Sequence, residues 1–351
     1  MDVKEWLGKD NRLGYDIWTK KYQQNGETFD EWLDRVSGKD SDMRKLILQK
    51  KFLFGGRILA SRGLVGVGRT LSNCYVIPPV EDSIEGIYEA CQKLARTFSY
   101  GGGCGIDISK LRPRGARVNN AAATTTGAVS FMPPLSMVSE TIGQQGRRGA
   151  TMISIDINHP DVPEFVDVKR DLTQVTGANI SIRVSDEFMH AVNADDDYIL
   201  NWPCECVIPD EAYQQPYDTL WSDGGCYYKR IRAKKLFMRL CENNWDYAEP
   251  GILFWDSIKD WNLLSDDPNF SYAGVNPCAE EPLPAYGACL LGSLNLDAFV
   301  RDGQFNMTEF KDAIRIAIRG LNDVLDEGIP LHPLAEQREM ASKWRPVGLI
   351  H

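Results

Sequence analysis

The sequence predicts an α/β fold with a largely parallel sheet or barrel, on three observations. Amphipathic helical stretches alternate with short β-branched runs along the chain, joined by Gly and Pro turns. No repeat, low-complexity tract or Pro/Ser linker interrupts that alternation. At 351 residues, 43% hydrophobic and 25% charged, the chain has ordinary globular composition and length for two core-forming units or one large domain.

The first fifty residues read as helical, with Trp6, Ile17, Tyr22, Trp32, Leu46 and Leu48 as core positions and Gly55-Gly56 as a break. A short strand comes next over 71–77 and stops at Pro78-Pro79. The next helix spans 83–99: Asp82 and Glu85 suit a capping box, and Ile84, Ile87, Cys91, Leu94, Ala95 and Phe98 form one apolar stripe. It ends at a glycine-rich turn. Residues 152–157 and 179–184 alternate as strands do, with Ile153, Ile155 and Ile157 on one face and Ile180, Ile182 and Val184 on another. Helices succeed both, the second capped by Ser185. Further helices are expected over 233–247 and 308–327, the latter closed by Gly328 and Pro330.

No apolar run approaches the ~18 residues of a membrane span, and the start, MDVKEWLGKD, is too charged for a secretory leader. A cytoplasmic protein with no membrane role is expected. A net charge of -10 argues against direct DNA binding, which needs a Lys/Arg excess to neutralise phosphates. Nine cysteines at irregular spacings, without an export signal, argue for thiols in place of a disulfide framework. Cys204, Cys206 and Cys226 lack zinc-ligand spacing and a nearby histidine, so they are expected to be incidental thiols, and no metal site is assigned. Cys91 and Cys241 fall on apolar helix faces, Cys104 sits in the glycine turn without a catalytic role, and His159 reads as a structural cap.

Residues 275–296, VNPCAEEPLPAYGACLLGSLNL, carry the chemistry. Pro277 pushes Asn276 out of the helical region, and Pro282 and Pro284 keep their neighbours extended. An extended loop points Asn276, Cys278 and Glu280 the same way, gathering an amide, a thiol and a carboxylate. A nucleophilic cysteine wants a positive neighbour, and none is near. The set instead suits a neutral thiol that exchanges a hydrogen atom while the carboxylate takes a hydroxyl proton and the amide fixes that hydroxyl. By spacing alone, a proline-rich surface loop with an incidental cysteine fits as well.

Asn276-Pro277-Cys278-x-Glu280, with Cys289-x-x-Gly292-Ser293-x-Asn295-Leu296 after it, resembles the finger loop of ribonucleotide reductase catalytic subunits. Other motifs resemble that family in order. Ser72-Asn73-Cys74-Tyr75-Val76 with Glu81-Asp82-Ser83-Ile84 looks like the first barrel strand and its reducing cysteine. Gly101 to Gly105 and Ser109-Lys110-Leu111-Arg112-Pro113-Arg114-Gly115 look like the glycine turn and the effector-side segment, and Gly146-Arg147-Arg148-Gly149-Ala150 with His159-Pro160-Asp161 like the loop linking effector to substrate. The resemblance covers nearly everything from residue 50 onward.

It implies a ten-stranded α/β barrel of two antiparallel halves, of which this chain resembles the first half plus the central finger loop. The implied organisation is a helical N-terminal region over 1–52, a half-barrel with effector-binding elements over 53–275, and the finger loop with the start of the second half over 276–351. The implied activity is reduction of ribonucleotides to 2′-deoxyribonucleotides by a thiyl radical, for DNA precursor synthesis. Cys278 would carry the radical, Glu280 take the 3′-hydroxyl proton and Asn276 hold the substrate hydroxyls, while Cys74 and Cys289 form the redox pair. Asn73, Gly103 and Arg148 would contact substrate; Asp82, Ser83, Ile84, Arg112, Gln145 and Arg147 would bind a deoxynucleoside triphosphate or ATP effector.

The ten residues between Cys278 and Cys289, and Gly55 to Leu59, resemble the branch that uses adenosylcobalamin as radical source. The alternatives are a large subunit served by a separate metal-radical subunit, or a non-catalytic nucleotide-binding fragment. The sequence ends at an RPxGL-like segment, Arg345 to Leu349, which the family continues into the second half-barrel. A split enzyme is therefore expected, with a second polypeptide supplying the other half, a thioredoxin- or glutaredoxin-type reductant, and an oligomeric assembly.

Overall fold

The computed structural model describes residues 2–64, 66, 68–143, 149–345 and 349–350. The chain divides into two compact units, one of Met1–Tyr75, Tyr100–Gly102 and Gly287–His351, the other of Val76–Ser99 and Gly103–Tyr286.

In the first unit the N-terminal helices Val3–Leu7, Arg12–Ile17, Phe29–Ser37 and Ser41–Leu48 form as the apolar pattern predicts. Thr28 and Glu31 close a capping box at the head of Phe29–Ser37, satisfying two helix-end donors at once. Trp6, Trp18, Phe29 and Trp32 pack ring against ring, with Phe29 and Trp32 stacked at 5.7 Å. Burial of each such side chain contributes about 1.5–3 kcal/mol. Ile17 does not join them: it is 37% exposed, so its place in the expected core is corrected.

That core continues into residues far along the chain, including Leu290, Ala317, Leu321 and Val324. The helical N-terminal region is part of this core. It shares one core with the helix Met307–Gly328, whose first turn is capped by Asn306 accepting the Glu309 N–H at 3.1 Å. Arg62, 2% exposed, fixes the arrangement by gripping Glu327 through two nitrogens at 2.6 and 3.0 Å and donating to the Val36 carbonyl at 2.9 Å. The strand Phe52–Phe54 pairs antiparallel with Leu291–Leu294.

The second unit holds four parallel strands, Gly103–Asp107, Thr151–Asp156, Ala178–Val184 and Gly251–Phe254, each hydrogen-bonded to the next. Not only the expected isoleucine faces but also Met152, Ser154 and Ser181 are buried, because both faces of a parallel sheet are covered. The helices Ile84–Ser99 and Ala233–Tyr247 stand where their periodicity places them. Ser185 caps Asp186–Ala194 through the Phe188 N–H at 3.2 Å. The cap of Ile84–Ser99 is Ser83, whose hydroxyl oxygen accepts the Gly86 N–H at 2.9 Å. Ile84, in the first turn, is 51% exposed and outside the buried stripe.

Part of this unit departs from the parallel scheme. Asp197–Trp202, Leu220–Asp223 and Cys226–Arg232 form an antiparallel ribbon with Cys226–Arg232 in the middle. Cys206 and Cys226 are joined there by a disulfide, which corrects their reading as incidental thiols. Among the described residues, no helix is long and apolar enough to cross a membrane.

Candidate active site and effector-side elements

The loop expected to be extended is a hairpin. Gly274–Val275 pairs antiparallel with Pro282–Leu283, leaving Asn276 to Glu281 as the loop between. Ala279 N–H donates to the Asn276 carbonyl at 3.0 Å, with Ala279 at φ +67°, so the chain reverses at the cysteine. Asn276 and Glu281 exchange backbone and side-chain bonds across the neck: Asn276 N–H to Glu281 C=O at 3.1 Å, and Glu281 N–H to Asn276 Oδ1 at 3.0 Å. Cys278 and Glu280 are consequently at the tip, Cys278 exposed, while Asn276 is fully buried at the base. Asn276 Nδ2 is buried with no hydrogen-bond partner among the described residues, a donor whose cost is recovered only when something accepts from it.

Two glycines and one asparagine seat this hairpin. A Cβ on Gly105 would stand 1.7 Å from the Val275 carbonyl oxygen, and one on Gly103 would stand 2.9 Å from Pro277 Cγ. Both lie on one face of the strand Gly103–Asp107, where only glycine admits so close a backbone. Gly103, expected against substrate, thus lies against the finger loop itself. Asn179 Nδ2 donates to the Pro277 carbonyl at 3.0 Å from the start of Ala178–Val184, two strands along the same sheet. Sequence reasoning missed Asn179 and Gly105; the only signals were a polar residue opening an apolar strand and a second glycine two residues after Gly103.

Beside Glu280 stands a second carboxyl. Burial, and then the charge of Glu280, push Glu281 up from 4.5 to about 7. A carboxyl whose folded pKa is raised favours the folded state fully below pH 4.5 and loses that contribution as pH rises through about 7. Glu281→Gln keeps the neutral form at every pH. Its urea midpoint is expected to exceed that of the wild type at pH 8 and to converge with it at pH 4.5; a variant less stable at pH 8 would contradict this.

Tyr75 and Cys74 of the first unit pair antiparallel with Ala288 and Cys289, and the register sets Cys289 directly opposite Cys74. Asn73 N–H donates to the Cys289 carbonyl at 3.0 Å. Directly opposed residues carry Cβ atoms about 4.5–5.5 Å apart, so a small adjustment brings two thiols into disulfide range. Cys74 is half-buried and Cys289 is buried. Asn73 Oδ1, like Asn276 Nδ2, is buried and unpartnered among the described residues.

The expected effector-side residues divide. Asp82 and Arg112 meet: Asp82 accepts from the Arg112 N–H at 3.0 Å and from Nε at 2.7 Å. Ser83 spends its oxygen on the helix cap and Ile84 beside it is exposed. Gln145, Arg147 and Arg148 lie outside the described residues. His159 is structural, as expected: Nε2 donates to the Leu111 carbonyl at 2.7 Å, Nδ1 accepts the Asp161 N–H at 3.0 Å, and burial holds its pKa down. Asp161 in turn accepts from Arg114 N–H at 3.0 Å and Ala128 N–H at 2.9 Å, fastening both ends of the loop that begins after Arg112. Among the described residues, no group of three or more His, Cys, Asp or Glu side chains is placed to hold a metal ion.

A largely parallel sheet seats a cysteine-tipped hairpin, and the same chain pairs Cys74 opposite Cys289, so the fold is of the α/β class. Residues 72–349 match the family model described as ribonucleotide reductase, barrel domain. The chain is 31% identical over 330 residues to a vitamin B12-dependent ribonucleoside-diphosphate reductase of Thermoplasma acidophilum, covering 92% of this chain and 40% of that protein. It is 27% identical over 314 residues to the ribonucleoside-diphosphate reductase large subunit of monkeypox virus, covering 83% and 39%. Its fold is similar to that of the class Id ribonucleotide reductase alpha subunit of Actinobacillus ureae, with a TM-score of 0.74 at 20% identity over 99% of this chain and 60% of that one. The chain belongs to the ribonucleotide reductase barrel-domain family. It spans about 40% of the length of the curated relatives it matches.

Proposed function

We propose that this chain carries the radical-bearing and reducing thiols of a ribonucleoside-diphosphate reductase, completed by the rest of the barrel that its longer relatives contain. The observation that carries the reading is the register of Cys74 opposite Cys289. Two thiols so placed deliver two electrons and close a disulfide without breaking a strand pair. Cys278 holds the hydrogen atom that is exchanged with the ribose 3′ carbon. Glu280 takes the 3′-hydroxyl proton, one of the paired thiols protonates the departing 2′-hydroxyl, which leaves as water, the pair supplies the hydrogen and two electrons that C2′ gains as it closes to a disulfide, and the hydrogen returns to C3′ from Cys278. Asn276 Nδ2, a buried donor unpartnered among the described residues, suits a substrate hydroxyl. A thioredoxin- or glutaredoxin-type dithiol resets the pair, a deoxynucleoside triphosphate or ATP acts at Asp82 and Arg112, and the working form is an oligomer containing the second half-barrel.

Adenosylcobalamin, when bound, supplies a carbon-centred radical by cobalt–carbon homolysis. The exposed position of Cys278 fits a thiol whose hydrogen is taken from outside the chain's core. The vitamin B12-dependent names of relatives from Thermoplasma acidophilum and Mycobacterium tuberculosis, each 31% identical, support that source. The chain assembled with the remaining barrel sequence, given ribonucleoside diphosphates, a dithiol and adenosylcobalamin, is expected to form deoxynucleoside diphosphates. Product formed only on adding a metal-radical subunit would overturn the cofactor, and no product under either condition would overturn the activity.

A further inference from the structure

The antiparallel ribbon carries a disulfide that the proposed reaction does not use. Cys206–Cys226 ties the stretch after Trp202 to the middle strand across a sequence separation of 20 residues. Little else holds that stretch. Its apolar cluster has three buried members, Ile199, Ala212 and Tyr228, and the two cysteines are part of its wall. Tyr228 donates its hydroxyl to the Val207 carbonyl at 2.8 Å, and Asn201 Nδ2 reaches the Pro203 and Cys204 carbonyls at 3.2 and 3.1 Å. The covalent staple adds constraint to a loop whose apolar cluster is small.

The residue after Cys226 connects the staple to the segment that contains Arg112. Tyr227 accepts the Arg117 N–H on its hydroxyl oxygen at 2.9 Å. The Arg117 carbonyl accepts from Arg112 Nη1 at 2.6 Å, and Arg112 is the partner of Asp82. Arg117 is thus held by the ribbon through its N–H and by the Asp82–Arg112 pair through its carbonyl. Trp202, the register partner of Tyr227, donates Nε1 to the Lys110 carbonyl at 3.1 Å, so the ribbon grips both ends of residues 110–117.

We propose that Cys206–Cys226 is a second redox-active site, reduced by an external dithiol, whose state sets through Tyr227 how firmly residues 110–117 hold the effector. The effector part rests on the assignment of Asp82 and Arg112 given above. The exchange balances: a thiolate of the dithiol attacks one sulfur, the Cys206–Cys226 bond breaks through a mixed disulfide, and the second thiol resolves it. Two electrons and two protons pass to Cys206 and Cys226, and the dithiol becomes a disulfide. Both cysteines are half-buried, within reach of such a reagent. Cys204 is close in sequence, but burial pushes its thiol up to about 12, so the attacking thiolate comes from outside. With the staple opened, Tyr227 is carried on a less ordered ribbon and its bond to Arg117 weakens. Tyr227 is a positioning residue here.

The test measures hydrogen exchange over residues 110–117 and dTTP affinity on the full chain, oxidised by diamide or reduced by dithiothreitol, with peptide mapping of the disulfide. Reduction is expected to speed exchange in 110–117 and to raise the dTTP Kd about fivefold or more. The double variant Cys206→Ser/Cys226→Ser, which leaves Cys74 and Cys289 in place, should resemble the reduced wild type under either condition. Tyr227→Phe should bind weakly in both states and lose its redox dependence. Unchanged exchange on reduction, or no Cys206–Cys226 link after oxidation, overturns the proposal. Redox-dependent exchange with no dTTP binding in any state would keep the redox coupling and remove the effector assignment instead.

Discussion

Cys278→Ser is expected to abolish turnover of the completed enzyme, by at least about 10⁴-fold, while leaving fold and nucleotide binding near the wild type. The side chain is exposed at the tip of a hairpin whose neck is fastened by Asn276 and Glu281, so serine is expected to leave that neck in place. What serine cannot do is give up its hydrogen atom, because an O–H bond is far stronger than an S–H bond. A cysteine kept for packing alone would not give this loss with the fold intact. Turnover measured beside the urea midpoint and nucleotide affinity checks this. A variant within tenfold of wild-type turnover would remove Cys278 from the radical step, and a fall in stability would show that the hairpin needs the thiol for packing.

The site was legible where its chemistry is carried by residue types at fixed spacing. Asn276, Cys278 and Glu280 could be named from the motif, yet not their arrangement. Three prolines suggested an extended run, whereas Pro282 pairs with Val275 and the chain turns back at Ala279. That pairing depends on the strand Gly103–Asp107, far earlier in the chain, offering two glycines to the hairpin. The helices Ile84–Ser99 and Ala233–Tyr247 were legible because their period and caps are local. Ile17 and Ile84 show the limit of the same argument: an apolar residue on the right stripe is buried only if another element covers that turn. The ribbon was not read from the sequence, and its disulfide joins Cys226 to Cys206, which lies outside the strands, so cysteine spacing does not reveal the pair.

The second large effect concerns the opposed thiols. Mild oxidation of the wild-type chain is expected to join Cys74 to Cys289, and Cys289→Ser to remove that link and reduce multiple turnover by about 10³-fold or more. The register places the pair directly across two antiparallel strands, and Asn73 N–H bonded to the Cys289 carbonyl fixes the crossing point. A disulfide there needs only a shift of side chains, so oxidation is not expected to unfold the unit. The same geometry separates the two cysteine roles. Cys278→Ser stops the reaction before any electrons move, so the pair stays reduced during attempted turnover; Cys289→Ser leaves the hydrogen atom of Cys278 exchangeable but takes away one of the two electrons' carriers. Alkylation mass mapping of Cys74 and Cys289 after incubation with substrate reads this difference directly. Oxidation that links neither cysteine, or a Cys289→Ser enzyme turning over at the wild-type rate, would show that the strand pairing serves packing alone.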